Sequence, residues 1–235
     1  MGWEWTVSGL GLGIGLLVGL TGMGAGSVLT PLLILALGVD PLVAVGSSLA
    51  HAALMKAVGT WRHAQLGTVD WDKVRWLAMG SLPGVLAAGI FLGFVQQDSL
   101  TKANVLVGRV LGAAMVLVAL LLLWRVLGRR PATQAGARWL EGPWGPSLLA
   151  LAGTWVGTLV GLTSVGSGSF LIPILALGTG LPARRLVGTD IAHALLLMAA
   201  GALVHGSLGN VSWPLVAGLL LGSVPGIWLG SLASV

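Results

Sequence analysis

Residues 21 to 27 read TGMGAGS, and residues 163 to 169 read TSVGSGS. Each run of threonine, glycine and serine interrupts a stretch apolar enough to sit in lipid, residues 7 to 38 in one case and 146 to 180 in the other. Backbone left unpaired inside a bilayer costs several kcal/mol per group, so a break at that depth survives only where protein, water or a solute satisfies it. Two matching interruptions therefore point to something polar meeting the chain inside a membrane.

The surrounding composition supports that setting. Of 235 residues, 56% are hydrophobic and 8% charged, and the mean hydropathy is +0.97. That is more apolar surface than a soluble domain of this length can hide, so the chain reads as an all-α, polytopic integral membrane protein. Uncharged stretches at 7–38, 74–95, 104–124, 146–180, 186–205 and 211–235, with 42–61 as a seventh, approach or exceed the roughly 20 residues of a spanning helix. MGWEWT carries no basic run ahead of the first stretch, so no secretory signal is expected there. The absence of cysteine excludes disulfides and thiolate metal sites. The net charge of +5 lies mostly in loops, where basic residues report membrane orientation rather than nucleic-acid binding. Trp3, Trp5, Trp61, Trp71, Trp76, Trp124, Trp139, Trp144 and Trp213 fall at segment ends, as an interfacial belt places them.

Sliding the sequence against itself by 142 residues aligns Gly19–Gly89 with Gly161–Ser231 without a gap, and 30 of the 71 positions are identical. The matches include Pro31 with Pro173, His51 with His193, His63 with His205, Trp71 with Trp213 and Pro83 with Pro225. Such a register indicates an internal duplication. Charge orients the two copies. The loop at 62–75 holds Arg62, Lys73 and Arg75, its counterpart at 204–217 holds none, and the link at 125–142 holds Arg125, Arg129, Arg130 and Arg138. The positive-inside rule puts the link and the first loop in the cytoplasm and the uncharged loop outside, so the repeats are inverted. We expect a first membrane repeat over 1–124, a cytoplasmic basic linker over 125–144, and a second membrane repeat over 145–235 that lacks a counterpart of the 104–124 helix.

Inversion needs an odd number of crossings per repeat. Helices near 42–61, 74–95 and 104–124 supply three, so residues 7–38 must enter and leave on one side as a helical hairpin broken at its Gly-rich tip. Its arms, 7–22 and 28–38, are about 24 and 16 Å long at 1.5 Å per residue, against about 30 Å of hydrocarbon. A single broken crossing would instead place Arg184 and Arg185 outside, against the charge rule.

Ser27 and Ser169 stand where N-caps belong, directly before VLTPLLILAL and FLIPILAL. The positive ends of the two second arms would then face one another and form an anion site. Gly22, Gly24, Gly26, Gly166 and Gly168 would let a solute approach the main chain, and Thr21, Thr163 and Ser164 would add hydroxyls. Gly11, Gly15 and Gly19, spaced by four, read as a helix-packing stripe instead. On the 42–61 helix Ser48, His51 and Met55 share a face, and Asp190 and His193 occupy the first two of these places in the other half. Ionisable groups so deep usually face the bundle interior. His51, Asp190 and His193 are candidates for proton coupling, with Asp190 within reach of setting a ring tautomer, while Ser48, His51 and His193 are also candidate wall residues. A histidine that only bonds a neighbouring helix is the rival reading for His51 and His193. Lys56, matched by Met198, either supplies positive charge to the site or snorkels past Trp61 to the inner face. His63 and His205, at helix ends, read as interfacial.

With GLTGMGAGSVLTPLLILALGVDPLVAVGSS and GLTSVGSGSFLIPILALGTGLPARRLVGTD in view, the chain resembles the sulfite exporter TauE/SafE family of membrane permeases. The likeness rests on Gly24, Gly26, Pro31 and Gly38 with Gly166, Gly168, Pro173 and Gly180. It rests further on Val45 to Ser47 with Val187 to Thr189, and on Gly67 to Trp71 with Gly209 to Trp213. The resemblance implies a non-enzymatic secondary transporter in the bacterial inner membrane that moves sulfite or an organosulfonate such as sulfoacetate, usually outward. Its partners would be the small anion and the lipid bilayer, with no nucleic acid and no cofactor; monomer and homodimer both stay open. A divalent-metal permease built on the four histidines is the alternative, weakened by a single buried carboxylate and no thiol. No carboxylate pair, activated nucleophile or cofactor motif suggests an enzyme.

Overall fold

A computed structural model of the chain describes residues 2–21, 26–127 and 138–233, and for residues 2–4, 19–21, 26, 27, 122, 124–126, 231 and 233 it describes the backbone only. Gly22 and Gly24 of the first tip lie outside the described residues. Those described fold as nine α-helices: α1 (Gly2–Thr21), α2 (Gly26–Leu37), α3 (Pro41–Gln65), α4 (Trp71–Asp98), α5 (Leu100–Leu127), α6 (Gly145–Thr163), α7 (Ser167–Gly178), α8 (Ala183–Ser207) and α9 (Trp213–Ala233). One 3-10 turn, Trp139–Glu141, precedes α6. Among the described residues six helices are long and apolar enough to cross a membrane, namely α3, α4, α5, α6, α8 and α9. Large apolar side chains such as Phe94, Leu120, Leu203 and Leu221 remain exposed on them, as lipid-facing residues do.

The second break falls where its glycine run predicted, between α6 and α7. The arms differ from expectation in length. α6 has 19 residues, about 28 Å of helix, and matches the hydrocarbon thickness, whereas α7 has 12, about 18 Å. The extra length of α6 lies at its start, since it begins at Gly145, four residues before the counterpart of residue 7, and ends at Thr163 beside the expected break. α7 then returns to where α6 began: Gly178 lies against Leu140 and Trp139, and the Gly180 amide donates to Glu141 Oε1 at 3.0 Å. Leu140, Leu149, Leu171 and Leu175 share one buried cluster with Leu77 and Leu186, which holds the two arms to α4 and α8.

Small residues decide which helices pair. α1 runs parallel to α9, with Gly11 against the Leu219 carbonyl, Gly15 against that of Ser223, and Gly222 and Gly226 against those of Ser8 and Leu12. α6 runs parallel to α4 through Gly153 on Leu77, Gly157 on Ser81, Gly80 on Ala150 and Gly84 on Thr154. At each of these places a methyl group would collide with backbone, so the main chains approach as closely as helices in lipid can. Gly11 and Gly15 are thus packing residues, as their spacing suggested. α3 and α8 cross antiparallel at the centre, with Gly46 beside His205 and Asn210, Gly201 beside Leu49, Gly59 beside Ile191, and Gly188 beside His63 and Thr68. Each contact has its counterpart 142 residues away in both partners.

Two helix starts carry a local signal. Pro41 opens α3. Asp70 caps α4, accepting from the Lys73 amide at 3.2 Å and from its ammonium at 3.1 Å, while Arg185 of α8 stands 3.6 Å away. Burial pushes the Asp70 carboxyl up, but the Lys73 hydrogen bonds and the charges of Lys73 and Arg185 outweigh it and hold the group below its ordinary value.

Candidate functional site

The second tip is fully described. α6 ends at Thr163, and Ser164 adopts a left-handed conformation, φ 58° and ψ 4°, with its amide donating to the Val160 carbonyl at 2.7 Å. Gly166 follows at φ 142°, in backbone space that only glycine enters readily. Its Cα also lies so close to Val160 and Phe170 that a Cβ would meet Val160 Cγ2 at 3.1 Å. From this turn α7 begins at Ser167, and no side chain caps its first turn. Ser169 is therefore not an N-cap; it lies inside α7, because the glycine conformation lets the helix start earlier than serine would have marked it. Ser27 is likewise inside α2, which begins at Gly26. Thr163, Ser164 and Ser167 are at most 5% exposed, so the break and the positive end of α7 face protein rather than lipid.

Two hydroxyls expected to be free are engaged. The Thr163 hydroxyl donates to the Leu159 carbonyl at 2.6 Å and accepts from the Val165 amide at 3.2 Å, closing the end of α6. Ser164 Oγ lies 2.6 Å from Thr30 Oγ1 of α2, so the second tip touches the short arm of the first half. Thr30 carried no special signal in the sequence, since its counterpart is Ile172.

A layer of buried polar groups lies between α3 and α8. His51 Nε2 is 2.8 Å from Ser223 Oγ of α9, and His193 Nε2 is 2.8 Å from Ser81 Oγ of α4. These bonds are one pair seen twice, since both the histidines and the serines are 142 residues apart. Ser81 and Ser223 escaped the sequence reading, although their identity in register, each after a glycine, was the signal. Ser48, His51, Asp190 and His193 are at most 3% exposed. Among the described residues, Ser48 Oγ, Asp190 Oδ1 and both Nδ1 atoms of His51 and His193 have no hydrogen-bond partner. Asp190 thus does not hold the His193 ring; the serine of α4 does. Lys56 turns inward rather than snorkelling, with Nζ 4.0 Å from Asp190 Oδ2. Gly168 of α7 lies beside the same carboxylate, its missing Cβ 3.7 Å from Oδ2. His205 is not interfacial: it is fully buried, with Nε2 2.8 Å from the Gly161 carbonyl, because the end of α6 packs over it. His63 Nδ1 pairs with Thr68 Oγ1 at 2.8 Å near the end of α3. Among the described residues no three histidine or carboxylate side chains gather to hold a metal ion.

Ionisable and unpaired polar groups so deep in an apolar bundle usually face its interior or a water path. Known proteins agree. Residues 7–235 match the family model described as sulfite exporter TauE/SafE. The chain is 40% identical over 229 residues to the probable membrane transporter protein YjnA of Bacillus subtilis (strain 168), covering 94% of this chain and 87% of that one. It is 25% identical over 228 residues to a probable membrane transporter protein of Haemophilus influenzae, covering 87% and 79%. It is 27% identical over 238 residues to YunE, another probable membrane transporter protein of Bacillus subtilis, covering 94% and 83%. No solved structure matches the chain. From the paired glycine tips through the matched histidines to the last described helix, this multi-pass membrane protein belongs to the sulfite exporter TauE/SafE family of transporters, not enzymes.

Proposed function

We propose that the protein is a secondary transporter that exports a small sulfur-containing anion, sulfite or an organosulfonate such as sulfoacetate, across the cytoplasmic membrane. The anion sits between the short arms α2 and α7, against the positive helix ends, with Ser48, His51, Lys56 and His193 as the wall. Two inverted repeats, one on each side of the 125–144 linker, rock about this point to open it to either face, and α1–α2 and α6–α7 are re-entrant hairpins. The Thr30–Ser164 bond carries the reading, because it brings the broken tip of one half against the short arm of the other inside the protein. The antiparallel α3–α8 crossing and the paired His–Ser bonds support the two-fold arrangement. A pyramidal or tetrahedral oxyanion suits converging amides, hydroxyls and one cation.

The test is counterflow in proteoliposomes loaded with unlabelled sulfite, sulfate, thiosulfate, sulfoacetate or methanesulfonate. Trans-stimulated entry of label is expected with sulfite or a sulfonate. No stimulation by any of the five anions refutes the reading.

A further inference from the structure

The polar layer is two-fold in every respect but charge. Ser48 matches Asp190 and His51 matches His193, yet the carboxylate has no acidic counterpart, and the place of Lys56 is taken in the other half by the buried Met198. The two unmatched charges face each other. Their separation of 4.0 Å is longer than an N–H···O hydrogen bond, and Asp190 Oδ1 has no partner among the described residues although the residue is only 3% exposed. A carboxylate so placed is held by one loose Coulombic contact, and the start of α7 at Gly168 adjoins it. An anion held by that helix end and by Lys56 would lie against Asp190 and repel it.

We propose that Lys56 and Asp190 form an exchangeable ion pair that couples one proton to each transported anion: the anion takes the Lys56 ammonium, and the displaced Asp190 carboxylate binds a proton. This rests on the anion site proposed above and adds the coupling ion and its carrier. In the unloaded protein Lys56 balances ionised Asp190. In the loaded protein Lys56 balances the anion, and neutral Asp190 carries the proton across with it, so a monoanion moves with no net charge. Combined anion and proton gradients then set the direction: a proton gradient directed inward favours uptake, and export runs where the outward anion gradient exceeds it. The groups facing Asp190 from its surroundings are few. α3 brings Lys56 and His51, and α8 itself brings His193, with each histidine held by a serine through Nε2. α2, α7 and α9 contain no charged residue, and α4 carries charge only near its ends, at Asp72, Lys73, Arg75 and Asp98.

The probe is methanesulfonate, which stays ionised at every working pH, so any proton that moves with it is carried by the protein. Proteoliposomes are clamped at zero voltage with valinomycin and equal potassium on both sides. With the outside about one pH unit more acid, the wild type is expected to concentrate the probe about tenfold, the limit for one proton per anion. Asp190→Asn should keep counterflow and lose accumulation, equilibrating the probe without concentrating it. Asp190→Ser, which installs the residue that the fold already accepts at position 48, should do the same. Lys56→Gln should lose counterflow. Accumulation that persists in either Asp190 variant, counterflow that persists in Lys56→Gln, or wild-type counterflow without gradient-driven accumulation overturns the ion-pair exchange and leaves the anion site standing. Absence of wild-type counterflow with methanesulfonate overturns the proposal together with the sulfonate site beneath it.

Discussion

At the scale of single residues, the site depends on backbone that only glycine enters readily and on hydroxyls that hold rings. Gly166 at φ 142° is followed at once by α7, and its substitution strains the turn while pushing a methyl toward Val160. Gly166→Ala is expected to cost about 1–3 kcal/mol, seen as a lower melting temperature of the detergent-purified protein, and to abolish counterflow. Gly168→Ala meets only Asp190 Oδ2 and Ile172, both at ordinary contact distance, and should leave the melting temperature nearly unchanged. The histidines give a paired test. Ser81→Ala and Ser223→Ala each remove the one partner of a buried ring nitrogen, at about 1–3 kcal/mol. Because the two bonds are counterparts, their melting shifts should be similar, and a shift in only one would show that the halves are energetically unlike.

At the scale of elements, pairing is governed by where glycine stands on a helix rather than by how many glycines it has. α1 carries Gly9, Gly11, Gly13 and Gly15 in alternation. Positions 11 and 15 press on α9, whereas nothing lies within 4 Å of a Cβ at 9 or 13. Gly11→Ala should therefore separate α1 from α9 and destabilise the protein. Gly13→Ala should be neutral or stabilising by up to about 1 kcal/mol, the helix-propensity difference between the two residues. Thermal unfolding of the two variants side by side decides it, and equal shifts would show that α1 does not pack on α9 by this face. The length of α6 belongs to the same scale: a run of apolar residues says that a helix continues, and only the turn at Ser164 and Gly166 says where it stops.

At the scale of the whole molecule, the proposed inversion of the repeats requires matched loops on opposite membrane faces. The chain lacks cysteine, so single cysteines can be placed without background. In intact cells a membrane-impermeant maleimide is expected to label Ser207→Cys, next to the loop after α8, and to label Gln65→Cys, next to the matched loop after α3, only after permeabilisation. Labelling of both from the same side would refute inversion.

Much of this was legible in the sequence because matching residues recur at a constant offset of 142, and lipid restricts a chain to helices whose interruptions stand out. Membrane class, glycine breaks, matched histidines and family likeness were all readable in that way. The Thr30–Ser164 contact, the engagement of Ser81 and Ser223, the burial of His205 and the inward turn of Lys56 were not. Each joins residues more than forty positions apart, or depends on which side of a helix meets a neighbour, and periodicity along one helix carries no information about its partner. Sequence alone thus determined what kind of chain this is and where it breaks. Only the tertiary packing, set by close approach of backbones at particular glycines, decided which polar groups meet and which stay without partners.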